Sequence, residues 1–222
     1  MKYKTCVSIA ETTPNKVKQV LKNALKKSDF VEVRFDFLKM EQIPQTLELI
    51  KKDLNRIVCT LRPKTEGGKF SGNEKERMSI IKLIAEYNPF LLDVEFNMLK
   101  KNPQITEYLK STKTELLVSW HDFKKTPKAT ELKKKITQMS KFSNNIKIVS
   151  TAKTTDDATR MLELYSKKGK NNLISFAMGD MGRISRILCL YLGSPYTYVS
   201  LGKAVAPGQF SVDEVKKIAS LK

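Results

Sequence analysis

The chain has 222 residues, 41% of them hydrophobic and 29% charged, so it can bury one substantial core and is too apolar for a disordered segment. It has no uninterrupted apolar run of about 18 residues, which excludes a membrane-spanning helix, and Met1-Lys2-Tyr3-Lys4-Thr5 lacks the apolar stretch of a signal peptide, so a cytoplasmic location is expected. The net charge of +18 suits either nucleic acid or a small anion, but the lysines (Lys16, Lys18, Lys22, Lys26, Lys27; Lys133, Lys134, Lys135) are not interleaved with aromatic residues, so no nucleic-acid partner is expected.

Taken along the chain, short β-branched runs alternate with helical patterns. A strand over residues 5–10 precedes a helix over 14–27, which Thr13-Pro14 opens with an N-cap and a first-turn proline. Strands at 30–36 and 56–61 enclose a helix at 45–53, and a helix at 74–87 leads to strands at 90–96 and 115–120. Thr126-Pro127 repeats the start signal for a helix over 127–140, followed by a strand at 145–150, a helix at 155–168 and a strand at 172–177. A helix at 183–192 and a last strand at 196–199 complete the series. Eight strands with intervening helices predict a (β/α)8 TIM barrel, one catalytic domain over residues 1–222. The rival, a doubly wound open sheet, favours a glycine fingerprint after the first strand, and Ala10-Glu11-Thr12-Thr13-Pro14 has none. Cys6, Cys59 and Cys189 lie far apart among apolar neighbours, as buried free thiols do, and no CxxC pair suggests a metal.

The polar residues inside the strands carry the functional signal. Side chains two apart in a strand share a face. Glu32, Arg34 and Asp36 therefore lie together, opposite Val31, Val33 and Phe35, and Asp93 and Glu95 share a face of their own strand. Arg62 closes the third strand, His121 follows the fifth, and Lys147 lies inside the sixth. A barrel strand has no solvent face, so charges on its inner side must pair or meet a ligand at the barrel mouth. Lys147, within Ile146-Lys147-Ile148, has two readings. It is a structural lysine paired with Asp93 or Glu95, or an amine that burial prepares to attack a carbonyl. His121, the only histidine, supplies the proton carrier that imine chemistry needs.

These segments resemble type I 3-dehydroquinate dehydratase nearly end to end. They are Glu32-Val33-Arg34-Phe35-Asp36, Thr60-Leu61-Arg62-Pro63-Lys64-Thr65-Glu66-Gly67-Gly68, Asp93-Val94-Glu95, Ser119-Trp120-His121-Asp122-Phe123 and Ile146-Lys147-Ile148. Met178-Gly179, Ser185-Arg186, Gly193-Ser194 and Ala206-Pro207-Gly208-Gln209 follow. The resemblance implies a homodimeric barrel without metal or organic cofactor that converts 3-dehydroquinate to 3-dehydroshikimate in the shikimate pathway. It implies that Lys147 forms the imine, His121 moves the protons and Glu66 orients His121. It further implies substrate contacts from Ser8, Glu32, Arg34, Arg62, Arg186 and Gln209. Asp36 and Asp93 are expected to brace the arginines and the lysine, and Glu95 to stand behind Lys147 as its partner. Val205 stands where the family commonly has a serine, and Tyr198 where phenylalanine is common. A Schiff-base aldolase also places a lysine in the sixth strand, but Arg186 and Gln209 favour a carboxylate substrate over a phosphate.

Overall fold

The computed structural model describes residues 3–202 and 204–220. Met1 and Lys2, the start of the segment examined for a signal peptide, and the C-terminal end of the expected 1–222 domain lie outside the described residues.

All eight expected strands form. They are β1 (Thr5–Ile9), β2 (Phe30–Arg34), β3 (Ile57–Thr60), β4 (Leu91–Glu95), β5 (Leu116–Asp122), β6 (Asn145–Thr151), β7 (Asn172–Met178) and β8 (Thr197–Val199). Every ladder is parallel, in the spatial order β7-β6-β5-β4-β3-β2-β1-β8, so the sheet curls into a nearly closed barrel with helices between its strands. Among the described residues no ladder joins β7 to β8, and β8 is only three residues long.

Two apolar layers follow from the strand alternation. Val31, Val33, Val94, Val118, Ile146 and Ile148 face the helices in the larger core. Cys6, Val58, Leu91, Leu117, Ile174 and Tyr196 fill the barrel interior, together with Phe176, Met178 and Tyr198. The polar positions share the inner face, and the register sets Ser8 beside Glu32 and Ser119 beside both Glu95 and Lys147. The three cysteines are buried and free.

The helices explain themselves locally. In α1 (Pro14–Lys27) the Thr13 hydroxyl accepts from the Lys16 amide at 3.4 Å, and Val17, Leu21 and Ala24 form the buried stripe. α2 (Ile43–Ile50) begins two residues earlier than expected, with Pro44 in its first turn. α3 (Glu74–Glu86) carries a capping box between Asn73 and Glu76. α4 (Phe96–Lys101), α5 (Pro103–Ser111) and α9 (Val212–Ala219) lie outside the expected set. They are too short to show sustained periodicity and are stabilised by packing rather than by propensity.

Thr126 is a correction. It does not cap α6, which runs Ala129–Met139 from Lys128. Its hydroxyl instead pairs with the Ser150 hydroxyl at 2.7 Å and donates to the Thr151 carbonyl at 3.0 Å, tying the loop to β6. After α7 (Thr155–Leu162), α8 (Ser185–Tyr191) spans the gap between β7 and β8. The Ser185 hydroxyl accepts from the Ala177 amide at 2.9 Å, and the Thr197 hydroxyl donates to the Arg186 carbonyl at 2.7 Å.

Candidate active site

Lys147 sits in the middle of β6 and is only 4% exposed. Its ammonium donates to Asp93 Oδ2, lies 3.9 Å from Glu32 Oε1 and stands over the Tyr198 ring at 4.8 Å from the centroid. Asp93 is shared: it also takes Arg62 Nη2 at 2.7 Å and the Ser119 hydroxyl at 2.6 Å. Burial alone would push the Asp93 carboxyl up, but Arg62 and Lys147 outweigh it and hold it far below the usual carboxylate range. Burial likewise opposes the charge on Arg62, and Asp93, Glu95 and Glu66 overcome that and raise it. Glu32 accepts from the Thr60 hydroxyl at 2.9 Å.

Glu95 departs from expectation. It does not touch Lys147; one oxygen takes Arg62 Nη1 at 2.6 Å and the other takes Arg77 Nη2. The strand pattern puts Glu95 and Lys147 inside the same barrel, but Asp93, one inner position deeper, meets the amine first. Asp36 and Asp93 do brace their arginines. Asp36 receives Arg34 Nε at 2.8 Å and Nη2 at 2.7 Å, and also the Lys69 amide at 2.9 Å.

His121 lies next to the last residue of β5, with Nδ1 3.0 Å from Glu66 Oε2. Burial first, then Arg62 and Lys147, push the imidazole well below its ordinary value, so it is neutral at physiological pH. Burial raises the Glu66 carboxyl to about 7 against the pull of Arg62. An ionised Glu66 accepts Nδ1–H and leaves Nε2 as the proton acceptor. Glu66 is delivered by a turn that ends at Gly67 with φ of 76°. A side chain at Gly67 would fall into the Phe123 ring, which stacks beside His121 at 6.1 Å between centroids.

Arg186, on α8, is 2% exposed. Nη2 donates to the Pro207 carbonyl at 2.9 Å, the guanidinium lies 4.3 Å over the Phe176 ring, and Nε has no partner. Among the described residues no carboxylate pairs with it, and burial lowers it to about 10. Gln209 reaches back from the last loop: Nε2 donates to the Ser8 hydroxyl at 3.4 Å, and Oε1 accepts from the Val205 amide at 2.9 Å.

Lys147, His121, Glu66, Ser8, Glu32, Arg34, Arg62, Arg186 and Gln209 all line one cavity of about 130 Å³ at the C-terminal ends of the strands. Asp36, Asp93 and Glu95 stand behind it. Phe176, Met178 and Val205 give it apolar wall, and Tyr198 lines it as well. The sequence reading missed Arg77, which reaches this network from α3. A signal was present, because Arg77 shares the buried stripe of Ile81, Ile84 and Ala85, where a surface arginine does not belong.

The profile of the family described as Type I 3-dehydroquinase matches residues 5–222. The 3-dehydroquinate dehydratase of Methanocaldococcus jannaschii is 31% identical over 222 residues, covering 96% of both chains. That of Dehalococcoides mccartyi is 35% identical over 203 residues, covering 88% of both. Among solved structures, the Geobacillus kaustophilus 3-dehydroquinate dehydratase superposes with a TM-score of 0.90 at 24% identity, covering 99% of this chain and 91% of its own. The Clostridium difficile type I enzyme, solved with covalent modified comenic acid, gives a TM-score of 0.85 at 25% identity over 98% of this chain and 91% of its own. The chain belongs to the type I 3-dehydroquinase family, hydro-lyases that act on 3-dehydroquinate in the shikimate pathway of aromatic amino-acid biosynthesis.

Proposed function

We propose that this site dehydrates 3-dehydroquinate by syn elimination through a Schiff base on Lys147. The carrying observation is that a buried lysine, the only histidine and an arginine that meets no carboxylate among the described residues line one cavity. The amine of Lys147 adds to the C3 ketone, and loss of water gives an iminium that acidifies the C2 hydrogens. His121, neutral and oriented by Glu66, removes a C2 proton. It then returns that proton to the C1 hydroxyl, which leaves as water while the enamine electrons form the new double bond. Hydrolysis of the iminium releases 3-dehydroshikimate and the amine. The steps balance on protein side chains and water, without a metal or organic cofactor.

Arg186 takes the substrate carboxylate with the donor that lacks a partner. Glu32 and Arg34 contact ring hydroxyls, Arg62 adds positive potential, and Gln209 and Ser8 close the site. The covalent ligand of the Clostridium difficile relative supports a covalent mechanism in this fold. Borohydride added during turnover should fix substrate-derived mass on Lys147 and nowhere else, and Lys147→Ala should show neither adduct nor activity. An active enzyme that yields no adduct overturns the mechanism.

We also propose a cytoplasmic location, fitting for a biosynthetic enzyme; among the described residues no helix is long and apolar enough to cross a membrane. The proposed partner is a second copy of the chain. Met181, Ile184, Leu188, Tyr191 and Leu192 are 40–54% exposed and form one apolar stripe along α8 and the turns that flank it. In a chain of net charge +18, such a stripe is where two copies approach with least repulsion. Sedimentation should give a dimer that Leu188→Glu splits; a monomeric wild type refutes it.

A further inference from the structure

Arg77 comes from helix α3 rather than from a strand, yet it is only 3% exposed and its guanidinium ends inside the charge network of the barrel. Nε donates to the Leu61 carbonyl at 3.0 Å, Nη1 lies 3.0 Å from Met98 Sδ, and Nη2 meets Glu95 Oε2. Read from the amine outward, five buried charges alternate in sign: Lys147, Asp93, Arg62, Glu95, Arg77. Each carboxylate is divided between two cations. Arg62 is the hinge of the series, since its Nη2 holds Asp93 and its Nη1 holds Glu95.

We propose that Arg77 is a positioning residue for the Lys147 amine, acting through Glu95, Arg62 and Asp93. The proposal rests on the Schiff-base reading of Lys147. By occupying one oxygen of Glu95, Arg77 leaves that carboxylate only one oxygen for Arg62, so the arginine fork stays open to share Asp93. Without Arg77, a buried Glu95 draws both prongs of Arg62 to itself, as bidentate pairing favours. Asp93 then has Lys147 as its only cation and holds its nitrogen back from the substrate carbonyl. The nucleophile is held back while Arg186, on the far side of the cavity, still receives the substrate. The Leu61 contact works in the same direction, because it fixes the backbone directly before Arg62.

A purely structural Arg77 would clamp α3 to β3, and its loss would lower stability while leaving folded enzyme with normal turnover. The two roles separate in a comparison of wild type, Arg77→Met and Arg77→Lys, with melting temperature, KM, kcat and the rate of borohydride trapping measured together. Arg77→Met is expected to lose about tenfold or more in kcat and in trapping rate with KM changed less than about threefold. Arg77→Lys, which keeps the charge on Glu95 but not the guanidinium fork, is expected to recover part of the loss. A folded Arg77→Met enzyme with wild-type kcat overturns the proposal.

Should Arg77→Met not fold, the double variant Arg77→Met/Glu95→Gln is compared with Glu95→Gln. A relay through Glu95 predicts equal kcat to within about twofold, and a further tenfold loss in the double variant overturns it. Failure to trap any adduct on the wild type would instead remove the Schiff-base reading itself.

Discussion

In the variant Glu66→Gln, an amide takes the place of a carboxyl that burial has pushed up to about 7 from an ordinary 4.5. The folded chain holds this proton after the unfolded chain has released it. The group's contribution to stability is therefore fully present below pH 4.5 and is lost as pH rises through about 7. The difference between those two values corresponds to about 3 kcal/mol. Glutamine does not titrate, so it escapes that loss but cannot offer an anion to His121 Nδ1, now 3.0 Å from Glu66 Oε2. Urea unfolding of both proteins should show similar stability near pH 4, with the variant gaining about 3 kcal/mol on wild type by pH 8. In the same samples kcat should fall by about tenfold or more, because the imidazolium formed on proton transfer loses its anionic partner. A stability gap that does not change with pH, or that favours wild type at pH 8, would refute the claim that Glu66 is a carboxyl ionised against its surroundings.

The other predictions concern the groups around that pair. Gly67→Ala should cost about 1–2 kcal/mol, from its φ of 76°, and displace Phe123 from beside His121, lowering kcat more than it raises KM in steady-state assays. Arg186→Met should raise KM by roughly tenfold or more, as expected for a lost bond to a carboxylate. Because it also removes a buried cation that meets no carboxylate among the described residues, it should leave the ligand-free melting temperature unchanged or higher. Val205→Ser should alter KM by about two- to tenfold, the worth of one hydrogen bond, with smaller change in turnover; a turnover gain at constant KM would contradict it.

The barrel was legible because its strands are buried on both faces, which makes any charge inside them conspicuous. Glu32, Arg62, Asp93 and Lys147 stood out for that reason, and the structure brings all four within one network. Alternation fixes which side of a strand a residue occupies but not which neighbour it meets there. Hence Glu95 could be placed inside the barrel and still be assigned the wrong partner, since Arg77 arrives from a helix. Long polar residues in helices ordinarily face solvent, so Arg77 was passed over despite its spacing from Ile81 and Ile84. Thr126-Pro127 shows the ambiguity of a start signal: the same pair that opens α1 at Thr13-Pro14 here serves a loop, because Ser150 and Thr151 offer the threonine hydroxyl better partners. Short helices such as α4 carry too few turns for any pattern to be read.

Among the described residues no ladder joins β7 to β8, which gives the barrel a seam, and the helix that bridges it is α8. Ser185 stitches that helix to β7 and Thr197 stitches it to β8, with Arg186 at the junction. Arg186, the proposed carboxylate contact, thus sits on the helix that closes this seam. On the proposed reading, a substrate joined to Lys147 on β6 and contacting Ser8 on β1 would act as a hoop across the gap. Occupancy of the pocket would then supply, through substrate, a link that the backbone ladders of the described residues do not make.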